Sequence, residues 1–218
     1  MANEIKRLYL IWRKGRGSSR IKVGEIKMKS SGFTFSYIKD GVSKAISDGF
    51  SMYPDFPDPN KEYKENVLDI FSSRLTNPER SDIQKYYDFW GIDKDMAKDK
   101  FYLLAHTQGI LPTDNFEFVA EYHPVKGLSF VSEICGLTNR KLKSDTLSIG
   151  DSLDWKLEPD NKFDKNAVHL YKDGIDIGYV KSIHCNVFHS SKRKDFSVKV
   201  KSIEKNGFIK RAFISIQL

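Results

Sequence analysis

The sequence LEPDNKFDKNAVHLYKDGIDIGYV, from Leu157 to Val180, combines a turn-rich loop with a β-hairpin. The loop is rich in Asp, Asn and Pro, which favour turns because they bond their own backbone or restrict φ. In the hairpin, apolar and polar residues alternate on both sides of Asp173-Gly174, a dipeptide typical of tight turns. Gly178, within the return strand, indicates a bulge or the close approach of another backbone segment.

An aromatic residue, Phe163, stands in the middle of this polar loop and is followed by Asp164. An apolar ring on a polar loop needs either a pocket beneath it or a ligand above it. In the first case the ring packs on the domain, and Asp164 accepts a hydrogen bond from the amide of Asn166 as a turn residue. In the second case the ring stacks on a nucleic-acid base, a contact that tolerates any base. The residues alone leave both alternatives open.

The loop and hairpin resemble the signature of the HIRAN domain, in which EP-x-N-x-[YF]-D-x-NA-[VI] precedes a hairpin that ends in IGYV. The matching residues here are Glu158-Pro159, Asn161, Phe163-Asp164, Asn166-Ala167-Val168 and Ile177-Gly178-Tyr179-Val180. The resemblance, with its flanking strands, covers most of residues 121–218. It implies a small OB-like β-barrel that binds single-stranded DNA, in the best-understood members at the 3′ end.

The same resemblance implies a set of DNA-binding residues. Phe163 would stack on the terminal base, Asp164 would accept a hydrogen bond from the 3′-OH, and basic residues would hold the phosphates. The first loop of the HIRAN-like region departs from that of DNA-end-binding relatives. Those relatives place an Arg followed by aromatic residues where this chain has Thr138-Asn139-Arg140. The candidate DNA-binding residues are Phe163, Asp164, Asn161, Lys165, Arg140, Tyr179, Lys181, Lys192 and Arg193.

The earlier part of the chain is similar to the N-terminal subdomain of HipA-type kinases. The segments that carry this similarity are Leu8–Trp12, Phe35–Tyr37, Tyr53–Asp58, Phe71–Leu75 and Phe101–Ala105. In those kinases a catalytic core follows, whereas here a proline-bearing connection leads into the HIRAN-like region. The similarity implies a protein–protein module that docks onto a HipA-type kinase or another protein partner, as in toxin–antitoxin systems.

The sequence therefore predicts an α+β protein with two domains, residues 1–120 and residues 121–218. The first is predicted to be a small β-sheet or barrel with several short helices, and the second a small OB-like β-barrel with one or two short helices. Alternation predicts strands in the first domain at residues 8–12, 21–26, 33–37 and 116–120. Helical spacing predicts helices at residues 42–50, 63–75, 78–90 and 98–106, and a basic helix at residues 181–194.

The net charge of +7 is spread unevenly along the chain. Residues 1–30 and residues 181–218 each contain nine Lys or Arg against two Asp or Glu. Two separated basic segments favour an anionic partner, because phosphate contacts are the usual destination of such charge. Ordinary solvated faces are the alternative.

Composition restricts the class of protein. A hydrophobic content of 39% and an aromatic content of 13% are typical of a globular chain. No apolar run approaches the roughly 18 residues of a membrane helix, and residues 1–14 lack the layout of a secretory signal. The two cysteines, Cys135 and Cys185, are far apart and indicate free thiols in a reducing compartment. We expect a cytoplasmic protein of a bacterium or phage.

No pattern in the sequence predicts catalysis, a cofactor or a metal. His184, Cys185 and His189 are the only close group of soft ligands, and no further ligand lies near them to complete a zinc site. No Ser, Cys or Lys occupies a recognisable nucleophile motif. We therefore expect a non-enzymatic DNA-binding protein, or alternatively a protein–protein module that docks through residues 1–120.

Overall fold

The structure is a computed structural model that describes residues 5–15, 17–190 and 195–218. These residues divide into an N-terminal unit that ends at Glu121 and a C-terminal unit that begins at Tyr122. Short helices and antiparallel sheets make up the described chain, so the predicted α+β class is confirmed.

The N-terminal unit contains an antiparallel sheet of four strands in the order β3-β2-β1-β4. Alternate apolar side chains such as Leu8 and Leu10 are buried beneath it, as the period of a half-buried strand requires. The strands are β1 (Arg7–Trp12), β2 (Ile21–Lys29), β3 (Gly32–Tyr37) and β4 (Phe116–Ala120).

Short helices connect β3 to β4. They are α1 (Lys39–Ile46), α2 (Val67–Ser72), α3 (Ile83–Trp90), a 3-10 helix (Lys94–Met96) and α4 (Lys100–Thr107). The second is shorter than the sequence predicts, because Tyr63 pairs with Phe35 of β3 through two backbone hydrogen bonds of 2.8 Å. The chain is therefore extended at Tyr63, and the helix begins only at Val67.

The loop of residues 53–59 contributes an aromatic ring to the core of this unit. Phe56 is only 1% exposed and packs against Phe35, Tyr63 and Phe71, with ring centroids 4.8 to 5.0 Å apart. The hydroxyl of Tyr37 donates to the Phe56 carbonyl and accepts from the Tyr53 amide, both at 2.8 Å. The loop is thus tied to β3 by hydrogen bonds as well as by ring packing.

The C-terminal unit is built from two antiparallel sheets in its described residues, β5-β10-β9 and β6-β7-β8. β-bridges between Cys135 and Tyr179 and between Ser152 and Lys199 join the sheets at both edges. The strands therefore form a closed ring, as expected of a small β-barrel. Its elements are β5 (Ser129–Glu133), α5 (Leu137–Arg140), β6 (Asp154–Leu157), β7 (Val168–Lys172), β8 (Ile175–Tyr179), α6 (Ser182–Ser190), β9 (Ser197–Asn206) and β10 (Phe208–Gln217).

Gly178 lies where two backbone segments meet. It has φ +140°, and a Cβ at this position would stand 2.4 Å from the carbonyl oxygen of Cys135. The pairing of β7 with β8 also shifts between Leu170 and Tyr171, which is a bulge. Both features predicted from this glycine, the bulge and the close approach, are confirmed.

Elements of the C-terminal unit also differ from those expected. The sequence predicts a loop at residues 135–140 and a strand at residues 213–216, whereas the structure has the short helix α5 in the first segment and the longer strand β10 around the second. Helix α6 covers Ser182–Ser190, and the remainder of the predicted basic helix, residues 191–194, lies outside the described residues.

Candidate functional site

The signature loop, residues 158–166, is held by its own side chains. The Oδ1 atom of Asn161 accepts hydrogen bonds from the amides of Phe163 and Asp164, at 2.9 and 3.1 Å. The Oδ1 atom of Asp164 accepts from the amide of Asn166 at 2.9 Å, and its carbonyl accepts from the amide of Ala167. These local bonds fix the loop backbone without burying the loop in the core.

Phe163 projects into solvent from this braced loop, and 99% of its surface is exposed. The structure therefore places no pocket beneath the ring. Complete burial of a phenylalanine side chain is worth about 1.5–3 kcal/mol, and folding gains none of it here. The packed alternative for Phe163 is excluded in this conformation, and the ring is available to a ligand.

Asp164 has the turn role that was the alternative to ligand binding. Its Oδ1 atom holds the Asn166 amide, and its Oδ2 atom accepts a hydrogen bond of 2.6 Å from the hydroxyl of Ser182, the first residue of α6. A carboxylate offers about four lone-pair sites, so each oxygen retains capacity for one more donor.

A second group of side chains surrounds Tyr179 at the end of β8. The Arg140 guanidinium lies 5.0 Å from the centre of the Tyr179 ring, and its Nε donates to Oδ1 of Asp176 at 2.6 Å. On the same tyrosine, the His169 ring stacks with centroids 4.4 Å apart and planes inclined by 25°. The Nε2 atom of His169 is hydrogen-bonded to the same Asp176 oxygen at 2.7 Å. Tyr179 is thus held between an arginine and a histidine that share one carboxylate.

Glu158 connects the signature loop to this group. Its Oε2 atom accepts a hydrogen bond from Nδ2 of Asn161 at 2.7 Å, and its Oε1 atom lies 3.7 Å from Nδ1 of His169. The Asn161 hydrogen bond holds the pKa of Glu158 below its usual value, and a hydrogen bond from the Tyr179 hydroxyl adds to this effect. We define the loop–hairpin network as Arg140, Glu158, Asn161, His169, Asp176 and Tyr179.

The network contains a carboxylate whose charge is stabilised by its neighbours. Burial would raise the pKa of Asp176, but hydrogen bonds from Arg140 and His169 outweigh it and lower the pKa. Burial also raises the pKa of Tyr179, and its hydrogen bond to Glu158 acts in the same direction. At neutral pH the carboxylates are therefore charged and the phenol is protonated.

The structure places six of the residues predicted from sequence in the loop or in the network. They are Phe163, Asp164, Asn161, Lys165, Tyr179 and Arg140. Lys165 is exposed. Lys181 differs from the expectation, because it is only 2% exposed and its ammonium is within the fold instead of at the surface. Lys192 and Arg193 lie outside the described residues.

Three residues of the network were missing from the predicted set: Glu158, His169 and Asp176. The signature motif already contained Glu158, so its position was a usable signal. His169 stands opposite Tyr179 across the β7–β8 pair, but only because the bulge shifts the register by one residue. A register counted from the Asp173-Gly174 turn without the bulge places His169 opposite Gly178.

The remaining soft-ligand side chains have structural partners. His184 is hydrogen-bonded to Ser132 at 2.8 Å, and His189 to the carbonyl of Asn166 at 3.0 Å. Burial raises the pKa of the Cys185 thiol to about 12. Across the described ranges, no group of three His, Cys, Asp or Glu residues is arranged to hold a metal ion. No helix of those ranges is both long and apolar enough to cross a membrane.

The segments that resemble the HipA-type subdomain pack inside the N-terminal unit. Phe35, Phe56, Phe71 and Phe101 are all buried. Arg74 is also buried and donates two hydrogen bonds to Asp114, at 2.6 and 2.9 Å. These buried residues contribute to the core of the unit.

No protein-family model matches the sequence, and no curated protein matches it. Among solved structures, the chain is similar to the HIRAN domain of human HLTF, with 17% sequence identity and a TM-score of 0.33. The similarity covers 41% of this chain and 74% of that one. A similarity at this TM-score establishes neither family membership nor function.

Proposed function

We propose that the protein binds single-stranded DNA through its C-terminal unit, with the signature loop and the loop–hairpin network as the contact surface. Phe163 carries this proposal, because its ring is 99% exposed on a loop that is already fixed by hydrogen bonds. A base stacked on an aromatic side chain contributes about 1–3 kcal/mol. A braced loop loses little conformational entropy when the base binds, so most of that energy remains as affinity.

Cationic side chains near Phe163 support a nucleic-acid ligand. Lys162 and Lys165, one residue before and two residues after Phe163 in the sequence, are exposed. Arg140 keeps its guanidinium against the Tyr179 ring, an arrangement that presents a cation beside an aromatic face. Combined cationic and aromatic groups are the usual elements of single-strand binding surfaces.

We further propose that the site reads a free 3′-OH end, as the HIRAN resemblance implies. A carboxylate is unfavourable beside phosphates because like charges repel at short range. It suits a hydroxyl donor, and the oxygens of Asp164 each retain a lone pair beyond the bonds to Asn166 and Ser182. In this arrangement Phe163 stacks on the terminal base while Asp164 accepts the hydrogen bond of the 3′-OH.

The proposal is tested by fluorescence anisotropy of the full-length protein with labelled oligonucleotides. Single strands that end in a 3′-OH or a 3′-phosphate are compared with a duplex at two salt concentrations. Phe163→Ala should weaken single-strand binding by about 1–3 kcal/mol. Asp164→Asn should abolish the preference for the 3′-OH end and leave overall affinity nearly unchanged. Ile149→Ala removes an exposed apolar side chain outside the loop and serves as the control.

Two results would contradict parts of this proposal separately. Equal affinity of the unmodified protein for the two kinds of end would exclude end reading and leave Asp164 as a turn residue. Absence of any salt-sensitive binding would exclude DNA binding by this surface, because phosphate contacts release counterions.

We also propose that the protein acts by binding and without catalysis. The sequence contains neither the motif of a phosphate-binding loop nor that of an activated nucleophile. The test is incubation of the purified protein with labelled ATP. Phosphate transfer that a single Asp substitution abolishes would show that the protein is an enzyme.

A further inference from the structure

A second exposed aromatic residue of the C-terminal unit lies at the tip of the β9–β10 hairpin. Gly207 makes the turn with φ +69°, and Phe208 follows as the first residue of β10. Phe208 is 45% exposed, whereas Ile209 is 2% exposed. Lys210 is exposed as well, at a bulge where the pairing of β10 with β9 shifts between Ile209 and Arg211.

The segment after α5 adds a lysine to this tip. Lys143 forms an antiparallel bridge with Phe208, and the amide of Ile209 donates to the carbonyl of Leu142 at 2.9 Å. Residues directly opposite each other in such a bridge have side chains on the same face. Lys143 is exposed, so its side chain and the Phe208 ring extend from the same face of this bridge.

A third lysine lies near this segment but on the other face of the hairpin. Lys205 stands opposite Ile209, and its Nζ atom donates to the carbonyl of Ser144 at 3.3 Å. We define the hairpin-tip patch as Lys143, Phe208 and Lys210.

The lysines of the patch retain most of their positive charge for a ligand. In the part of the chain that the structure describes, no ion pair involves Lys143 or Lys210. The carboxylates nearest in sequence are Glu204 and Asp145. Glu204 lies 3.8 Å from a guanidinium nitrogen of Arg211, which also pairs with Glu133 at 3.2 Å, and Asp145 is exposed. The two lysines of the patch therefore have near them in sequence one exposed carboxylate and one that shares an arginine with Glu133.

The patch is also close to the loop–hairpin network along the chain. Arg140 ends α5 and contacts Asp176, and Lys143 follows three residues later. Three residues span at most about 10 Å. A ligand that reaches Arg140 is therefore within a short distance of Lys143 and Phe208.

We propose that the hairpin-tip patch is a second nucleotide-contact subsite, over which a single DNA strand continues from the signature loop. One base stacks on Phe208, and the phosphates beside it bind Lys143 and Lys210. The inference rests on the proposed function, since it extends the path of the same strand. A single OB-type barrel contacts about 4–16 nucleotides, which is more than the Phe163 loop alone can hold.

The experiment compares oligothymidine strands of about 4 and about 12 nucleotides, within the range of OB-type site sizes, by anisotropy with the full-length protein. Phe208→Ala should lower the affinity for the long strand by about 5- to 150-fold, the loss of one stacked base. It should leave the affinity for the short strand unchanged. Phe163→Ala should lower the affinity for both lengths.

A charge variant provides an independent readout. Lys143→Gln combined with Lys210→Gln should reduce the slope of log affinity against log salt by about 1.4, since each single-strand phosphate contact contributes about 0.7. Lys126→Gln is the control, because Lys126 is exposed and lies away from the patch. The amide of its neighbour Gly127 donates to the carbonyl of Leu218, which follows the end of β10 opposite to Phe208. The control should leave the slope unchanged.

The outcomes separate the inference from the proposed function. If Phe208→Ala and the double lysine variant leave long-strand binding unchanged while Phe163→Ala weakens it, the subsite is excluded and the proposed function stands. If Phe208→Ala weakens both lengths equally, the patch does not extend the path and the inference is also wrong. If the unmodified protein binds neither strand, the proposed function fails and the inference fails with it. The exposed lysine substitutions keep the test valid if Phe208→Ala does not fold.

Discussion

Two loops of this protein have a similar composition, but one buries its phenylalanine and the other exposes it. The loop of residues 53–59 reads YPDFPDP, and the signature loop reads EPDNKFDKN. Each surrounds one phenylalanine with Pro and Asp. Phe56 is almost completely buried, and Phe163 is almost completely exposed.

The difference lies in what each loop is bonded to. The loop of residues 53–59 is attached to β3 through the hydroxyl of Tyr37, and Phe56 packs against the rings of Phe35 and Phe71. The signature loop is braced mainly by its own Asn161 and Asp164. A polar loop that contains an aromatic residue therefore buries the ring in the core in one setting and leaves it in solvent in the other. The segment to which the loop is hydrogen-bonded decides between the two outcomes.

The largest expected effect concerns the stability of the two phenylalanine variants. Phe56→Ala should lower the free energy of unfolding of the N-terminal unit by about 3–5 kcal/mol, because it leaves a cavity among packed rings. Phe163→Ala should change stability by less than about 0.5 kcal/mol, as for other exposed positions. Chemical denaturation followed by circular dichroism measures both. Similar losses for the two variants would show that Phe163 is packed in solution.

Acid should affect the two regions in different pH ranges. Burial lowers the pKa of His106, in α4, from 6.5 to about 4. Between these two values His106 is therefore protonated in the unfolded chain and neutral in the folded N-terminal unit. Stability is complete above pH 6.5 and is lost as the pH falls towards about 4, by about 3 kcal/mol at about 1.36 kcal/mol per pKa unit.

The carboxylates of the loop–hairpin network respond only at lower pH. The pKa values of Glu158 and Asp176 are lowered from 4.5 and 3.8, so their contribution is present above those values and is lost below them. Unfolding curves between pH 7 and pH 4 should thus show loss in the N-terminal unit first. His106→Gln should remove that pH dependence, and its persistence in the variant would assign it to another group.

A smaller effect is expected at Asn161. Asn161→Ala removes the acceptor that fixes the amides of Phe163 and Asp164, and each lost hydrogen bond costs about 0.5–1.5 kcal/mol. The variant should also bind single-stranded DNA more weakly, because the loop must then be ordered on binding. Asn186→Ala, at an exposed position on α6, is the control for denaturation and for anisotropy. Unchanged DNA affinity in Asn161→Ala would mean that bracing of the loop does not contribute to binding.

Much of the fold could be predicted from local patterns. The strands of the N-terminal sheet and the hairpin at Asp173-Gly174 follow from alternation, which is a property of neighbouring residues. The helix predicted at residues 63–75 was too long, because the pairing of Tyr63 with Phe35 is a contact between distant segments. Such contacts override local helical spacing and leave no trace in a window of residues.

The candidate site divides in the same way. The loop residues were predictable because they form one contiguous motif. The burial of Lys181 was not, since a lysine normally lies at the surface even where its neighbours, here Val180 and Ile183, are buried. Phe208 and Lys143 were not predictable either, because a β-bridge between segments 65 positions apart brings them together.

Each unit pairs its first strand with its last. Leu8 of β1 lies opposite Ala120 of β4, and Phe130 of β5 lies opposite Ile216 of β10. Bringing together strands that are distant in sequence costs chain entropy before their contacts form. We therefore expect the β1–β4 and β5–β10 pairs to form after the local hairpins. We therefore expect the ribosome to release a finished N-terminal sheet while the barrel is still open. Until β10 emerges, β5 and β9 lack the strand between them, and the nascent chain presents unpaired edges that a chaperone can recognise.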